Sequence, residues 1–209
     1  MKIKIIDNFF KDEDLKLIQK FNLKKKVQKN GIEVYHNKID KNYNVESDIF
    51  DKETLKKLFK SYHSIAMNIL EELSPEKKHL YEFSEFHIVE IGKDFIFPIH
   101  DDIPNKLLSG VIYLKPDNNF GTIFYKNKKG EDKKIIEWKV NRAVFFSRLE
   151  KSSWHSYRGD GISNRITIVY NLMTNDIKSV LKIENKNYFF SLLRYKLNPY
   201  LFKYFKFTL

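Results

Sequence analysis

The chain has 209 residues, of which 42% are hydrophobic and 15% aromatic, enough apolar mass for a substantial core and too much for global disorder. Its net charge of +11 comes from 38 Lys and Arg against 27 Asp and Glu, mostly lysine; such a surface attracts anionic partners, and scattered lysines equally well solvate helix faces and loop tips. There is no cysteine, which excludes disulfides, iron–sulfur clusters and thiolate zinc sites and leaves His, Asp, Glu or Tyr to hold any metal.

The stretch from Met1 to Asp7 lacks the apolar run of a signal peptide, and no stretch reaches transmembrane length, so a cytoplasmic location is the expectation. Ile3, Ile5 and Ile6 predict a short strand. Asp12-Glu13-Asp14 then places acid in a first helical turn, with Leu15, Ile18 and Phe21 at helical spacing. Residues 24–50, including Lys24-Lys25-Lys26, show no clear period and read as loop with one strand near Ile32 to Tyr35. Asp51 suits the N-cap of a long helix with one apolar stripe through Leu55, Leu58, Phe59, Tyr62, Ile65, Ala66, Ile69, Leu70 and Leu73, stopped by Ser74-Pro75. His63 and His79 have no partner at ligand spacing and read as helix-face or surface groups.

From Phe83 the texture changes to short β-like runs: Phe86 to Ile91, Phe95 to Ile99, Leu107 to Leu114, Gly121 to Tyr125, Lys134 to Trp138, Ala143 to Phe146, Trp154 to Tyr157 and Arg165 to Leu172. Pro116-Asp117-Asn118-Asn119 and Asn127-Lys128-Lys129-Gly130 are turn chemistry between them. So many short strands predict an α+β, mainly β fold with a double-stranded β-helix (jelly roll) core. The expected organisation is one domain over 1–209, with a strand and supporting helices in 1–82, the jelly-roll core in 83–172 and a helical C-terminal extension in 173–209. In that extension Tyr188-Phe189-Phe190 and Leu192-Leu193 run to Pro199, after which Tyr200-Leu201-Phe202 and Tyr204-Phe205 alternate with lysines. This basic, aromatic segment reads as packing on its own domain, as a homodimer contact or as a peripheral membrane contact.

Chemistry concentrates in Pro98-Ile99-His100-Asp101-Asp102. Residues i and i+2 of a strand point to one side, so His100 and Asp102 can aim imidazole and carboxylate at one ion, with Asp101 turned away. His155 is the histidine available from the later strands. Two histidines and one carboxylate on one face suit Fe(II) with open coordination positions; the same residues also read as a polar turn and a buried core histidine. Ten residues past His155, Arg165 opens a strand and offers a rigid fork to a carboxylate, and the Thr167 hydroxyl points to the same side.

The ordered pieces resemble the prolyl-4-hydroxylase-like branch of the Fe(II)/2-oxoglutarate-dependent oxygenases. They are Phe97-Pro98-Ile99-His100-Asp101-Asp102, Val111-Ile112-Tyr113-Leu114, Phe120-Gly121-Thr122-Ile123, Asn141-Arg142-Ala143-Val144-Phe145-Phe146, Trp154-His155 and Asn164-Arg165-Ile166-Thr167, after an opening Ile5-Ile6-Asp7-Asn8-Phe9-Phe10. The resemblance implies that His100, Asp102 and His155 ligate Fe(II) and that Arg165 pairs with the distal carboxylate of 2-oxoglutarate. Tyr113 sits where relatives supply a hydroxyl to that carboxylate, and it serves equally as sheet packing.

The implied activity consumes dioxygen, decarboxylates 2-oxoglutarate to succinate, with ascorbate among the expected cofactors, and hydroxylates a peptidyl (such as prolyl), sugar or other small-molecule substrate. The intact carboxylate ligand favours hydroxylation over halogenation. The chain departs from the family pattern at Val89-Glu90, where many relatives have a tyrosine, and at Phe120-Gly121, where a double glycine is usual. Nucleic acid is not an expected partner. Tyr35, Asn105 and Trp154 are candidates for substrate contact or for a structural role. Two other readings stand beside the enzyme: an inactive jelly-roll binding module, and a basic protein that binds membranes or nucleic acid through its lysines and tail.

Overall fold

The computed structural model describes residues 2–20, 23, 26–205 and 207–209; Phe21 and Lys24-Lys25, named above, lie outside them. Four short strands come first: β1 (Ile3–Ile6), β2 (Ile32–Tyr35), β3 (Asn37–Asp40) and β4 (Val45–Ser47). Eight more follow: β5 (Phe83–Ile91), β6 (Ile96–His100), β7 (Lys106–Lys115), β8 (Thr122–Phe124), β9 (Lys134–Ile136), β10 (Ala143–Phe146), β11 (His155–Arg158) and β12 (Arg165–Met173). Helices α1 (Asp12–Gln19) and α2 (Lys52–Leu73) precede them, and α3 (Ile177–Ile183) and α4 (Tyr188–Phe205) follow.

The larger sheet runs β1-β10-β7-β12-β5-β3-β4, with β2 also on β5, and the smaller runs β6-β11-β8-β9. Of the strands β5 to β12, β5, β7, β10 and β12 thus lie in the larger sheet and β6, β8, β9 and β11 in the facing smaller one, the jelly-roll arrangement expected from the spacing of turns.

The pleat divides the side chains of the larger sheet into two sets. Ile166, Ile168 and Tyr170 of β12, Leu108, Ile112 and Leu114 of β7, and Ala143 and Phe145 of β10 pack with Leu55, Leu58, Tyr62 and Ile69 of α2 in the main core. The alternate residues Tyr113, Val144 and Phe146 face the smaller sheet and meet Phe124 and Ile136. Asp51 caps α2 as expected, its carboxylate accepting from Thr54 N at 2.8 Å and Thr54 Oγ1 at 2.7 Å.

One sequence expectation changes. Residues 24–50 hold three strands, where one was read. β2 and β3 share the edge of β5, β2 against Ile88 to Ile91 and β3 against Phe83 to Glu85. The break between them is held by a buried polar residue with no hydrophobic period to advertise it: Asn37 Nδ2 donates to Phe86 O at 2.8 Å and Asn37 Oδ1 accepts from Ser47 Oγ at 2.7 Å. In the tail, the helix α4 runs through Pro199 to Phe205. A proline removes one backbone donor, and packing beyond it compensates, with the Phe202 ring 4.8 Å from that of Phe97.

Gly121 starts the approach of β8 to β9, and a Cβ there would lie 1.7 Å from the carbonyl oxygen of Ile136. Backbone cannot retreat as a side chain can. Gly121→Ala is therefore expected to lower stability by about 2–3 kcal/mol, read from chemical denaturation, whereas the same change at exposed Gly161, with open space around it, is limited to the cost of its positive φ.

Candidate metal centre

β6 and β11 pair antiparallel, and their register sets His100 directly opposite His155, with the imidazole centroids 4.2 Å apart. Asp102 lies just past the end of β6. One ligand atom from each of the three residues falls within 4.8 Å of the others, the arrangement needed to share one cation.

The proton positions on both rings follow from their partners. His100 Nδ1 lies 2.9 Å from Pro98 O and His155 Nδ1 2.9 Å from Ser153 O. A carbonyl only accepts, so each Nδ1 carries the hydrogen and each Nε2 presents a lone pair. Burial and the neighbouring His155 push His100 down to about 3, and burial likewise lowers His155, so both rings are neutral and fit to ligate.

Asp102 is held from both sides. Its Oδ2 accepts from Ser109 Oγ at 2.6 Å and its Oδ1 from Lys106 Nζ at 2.7 Å. Burial works against its charge, but Lys106 and the two histidines hold the carboxyl below the usual carboxylate range.

Asp101, also past the end of β6 and bordering the same cavity, is committed to other partners. Its carboxylate receives Arg194 of α4 at 2.5 and 3.0 Å and the backbone N–H of Lys151 at 2.8 Å. The Arg194 guanidinium also sits 5.6 Å from the ring of Trp154, the residue before His155. One buried arginine thus braces the chain beside all three candidate ligands.

These ligands open into a cavity of about 290 Å³ between the sheets, lined also by Val89, Val111 and Val169. Arg165 and Thr167 of β12 are on its wall. The guanidinium of Arg165 is buried, its Nε and Nη2 have no hydrogen-bond partner among the described residues, and the rings of Tyr157, Trp138 and Tyr113 surround it at 5.1, 5.3 and 5.6 Å. Trp138 is itself fixed by an Nε1 bond to Pro116 O at 2.8 Å. A dry, unpaired cation is costly unless an anion comes to it.

The remaining sequence candidates fall differently. The Tyr113 hydroxyl is occupied by Thr122, donating to Oγ1 at 3.0 Å and accepting from the backbone N–H at 2.9 Å. Tyr35, Asn105 and Trp154 do not line the cavity; Asn105 instead ties to Thr174 O at 3.0 Å. His63 stacks on Phe59 at 4.4 Å, on the helix face expected for it. Lys106, Ser109, Tyr157 and Arg194 were not anticipated. Ser109 had a signal in the alternation with Val111 and Tyr113, whereas Arg194 reaches across 93 residues of sequence and had none.

No protein-family model matches the chain, and no curated protein matches it. Solved structures do. A prolyl-4-hydroxylase from Pseudomonas putida superposes with a TM-score of 0.55 at 13% identity, covering 83% of this chain and 92% of the other. A 2OG–Fe(II) oxygenase family oxidoreductase from Burkholderia pseudomallei gives 0.57 at 14% identity, covering 82% and 85%. A Trichoplax adhaerens prolyl hydroxylase, in complex with a hypoxia inducible factor oxygen degradation domain peptide fragment, gives 0.54 at 15%, covering 85% and 86%. The chain shares the jelly-roll fold of prolyl-4-hydroxylase-like 2OG–Fe(II) oxygenases.

Two outcomes follow from this geometry. Arg194→Ala leaves Asp101 charged, buried and without its main partner, so stability should drop by about 3–5 kcal/mol, and the Asp101→Asn/Arg194→Leu double variant should lose distinctly less in the same denaturation assay. Stability of the metal-free protein should also respond to acid early. His100 and His155 have folded values below the ordinary 6.5, so the unfolded chain takes up their protons first. Stability complete above about pH 6.5 is lost as the pH falls toward 3, and thermal midpoints should decline already between the two. His100→Gln/His155→Gln should flatten that decline, leaving the smaller slope of half-buried His63.

Proposed function

We propose that this cavity is the active site of an Fe(II)- and 2-oxoglutarate-dependent dioxygenase that hydroxylates a peptidyl residue, such as proline, or a small molecule. The observation that carries the reading is Arg165: a buried guanidinium with two unpartnered N–H donors, on the same wall as a His-Asp-His cluster. A dianionic co-substrate that chelates a metal at one end and presents a carboxylate at the other satisfies both features at once. The peptide complex of the Trichoplax neighbour supports a peptidyl substrate.

His100 Nε2, His155 Nε2 and the Asp102 carboxylate would hold the iron. Bound there, Fe(II) would supply the activation of dioxygen, the oxidant, one oxygen atom ending in succinate as 2-oxoglutarate is oxidised and loses carbon dioxide, and the other in the hydroxyl group that replaces a substrate C–H bond. The protein's own share is positional. The two Nδ1–H bonds keep the rings aimed, and Ser109 fixes the plane of the Asp102 carboxylate. Arg165 pairs with the carboxylate of the co-substrate, Thr167 adds a neighbouring hydroxyl, and Val89, Val111 and Val169 keep water out. Tyr113 acts through its ring, backing the guanidinium, and through its grip on Thr122.

The test is an anaerobic titration of Fe(II) and 2-oxoglutarate into the purified protein, followed by the visible metal-to-ligand charge-transfer band. Wild type should develop the band and His155→Ala should not. Arg165→Ala should keep its metal affinity while binding 2-oxoglutarate about a hundredfold more weakly. A folded sample that binds metal yet gives no band with 2-oxoglutarate would sink the reading.

A further inference from the structure

The cavity does not use the outer face of α4. Phe189, Phe190, Tyr200 and Tyr204 are 65–69% exposed, and Leu193 and Leu197 stand between them. At 100° per residue, Phe189, Leu193, Leu197, Tyr200 and Tyr204 fall on one side of the helix. Isolated exposed apolar residues are ordinary, but a continuous stripe of this size marks a surface that something covers.

The charge around the stripe narrows what that is. Residues 185–209 contain Lys186, Arg194, Lys196, Lys203 and Lys206 and no Asp or Glu. Arg194 is turned inward to Asp101, while Lys196 and Lys203 are exposed along the edge of the stripe. A two-fold contact between copies would set this face against itself, with lysines and no acid to meet them, under the repulsion of two chains of charge +11. Single-stranded nucleic acid would satisfy the lysines and stack on the rings, but it has no use for Leu193 and Leu197 in the middle of the stripe. A bilayer with anionic head groups satisfies both halves: aromatic rings enter the interface and lysine ammoniums stay at the phosphates. No helix among the described residues is long and apolar enough to cross a membrane.

We propose that the outer face of α4 docks flat on an anionic lipid bilayer. The inner face of the helix packs on the wall of the cavity, with Phe202 against Phe97, and Thr208 beyond the helix donating to Ile99 O at 3.3 Å. Docking would therefore hold the metal-ligand strand β6 close to the lipid surface.

The experiment is flotation of the full chain with phosphatidylcholine vesicles, with and without phosphatidylglycerol. Wild type should float with the anionic vesicles, release on added salt, and ignore the neutral ones. Phe189→Ser/Phe190→Ser/Tyr200→Ser should abolish flotation, and Lys196→Glu/Lys203→Glu should weaken it about tenfold or more, both with wild-type thermal midpoints because every changed side chain is exposed. His155→Ala should float like wild type, so that the docking and the metal centre succeed or fail separately. The proposal is overturned if wild type stays unbound at low salt, or if the serine variant floats as well as wild type. It is equally overturned if the serine changes abolish a dimer seen by light scattering, or binding to single-stranded DNA, without any flotation to lose.

Discussion

Each strand of the larger sheet must place alternate side chains on opposite faces, and the molecule's division into a core and a polar cavity follows from that constraint. In β12 the even positions Ile166, Ile168 and Tyr170 close the core against the helices, while Arg165, Thr167 and Val169 face the smaller sheet. β7 does the same with Leu108 and Ile112 against Ser109 and Val111. A slip of one residue in β12 would bury an arginine among leucines, and one in β7 would put Ser109 there; either would open the helix core. The apolar packing of α1 and α2 therefore sets the register of the polar groups on the other side.

The smaller sheet adds the complementary constraint. Its pairing puts His100 opposite His155, and the carbonyls of Pro98 and Ser153 fix both tautomers without help from any charged group. Charge in the cavity is then unevenly matched. Asp102 has Lys106 and Ser109, whereas Arg165 has aromatic rings around it and no carboxylate among the described residues. Rings contribute about 1–2 kcal/mol to a nearby cation, much less than the desolvation of a guanidinium. The imbalance favours an anion on that side, which is why the arginine says more about a ligand than the His-Asp-His cluster does.

Much of this was legible in the sequence because it is local. Turn residues and alternation marked all eight core strands, Asp51 and Ser74-Pro75 bounded α2, and the His100-Asp101-Asp102 spacing with His155 and Arg165 singled out residues that share one cavity. What escaped is held by partners remote in sequence. β3 and β4 depend on Asn37 reaching Phe86 and Ser47, and the Arg194 brace on Asp101 has no local pattern. Tyr113 shows a third kind of limit, since a strand position predicts which face a hydroxyl takes but not that a backbone N–H nine residues later already occupies it. Pro199 is accommodated inside α4, with Phe202 beyond it packing on Phe97.

The C-terminal helix brings the two halves of the structure together. Buried Arg148 meets Glu184 and the Tyr195 hydroxyl, Lys77 also meets Glu184, and Ser191 donates to Glu150 at 2.7 Å, so α4 is anchored through polar groups that each need their partners. Such a network resists sliding, because any shift leaves several buried charges unmatched together. Arg194 joins it to Asp101, with His100 and Asp102 on either side. The apolar stripe and the cavity thus lie on opposite sides of one helix, joined to the candidate metal ligands by the Arg194–Asp101 ion pair and the Phe202–Phe97 ring contact.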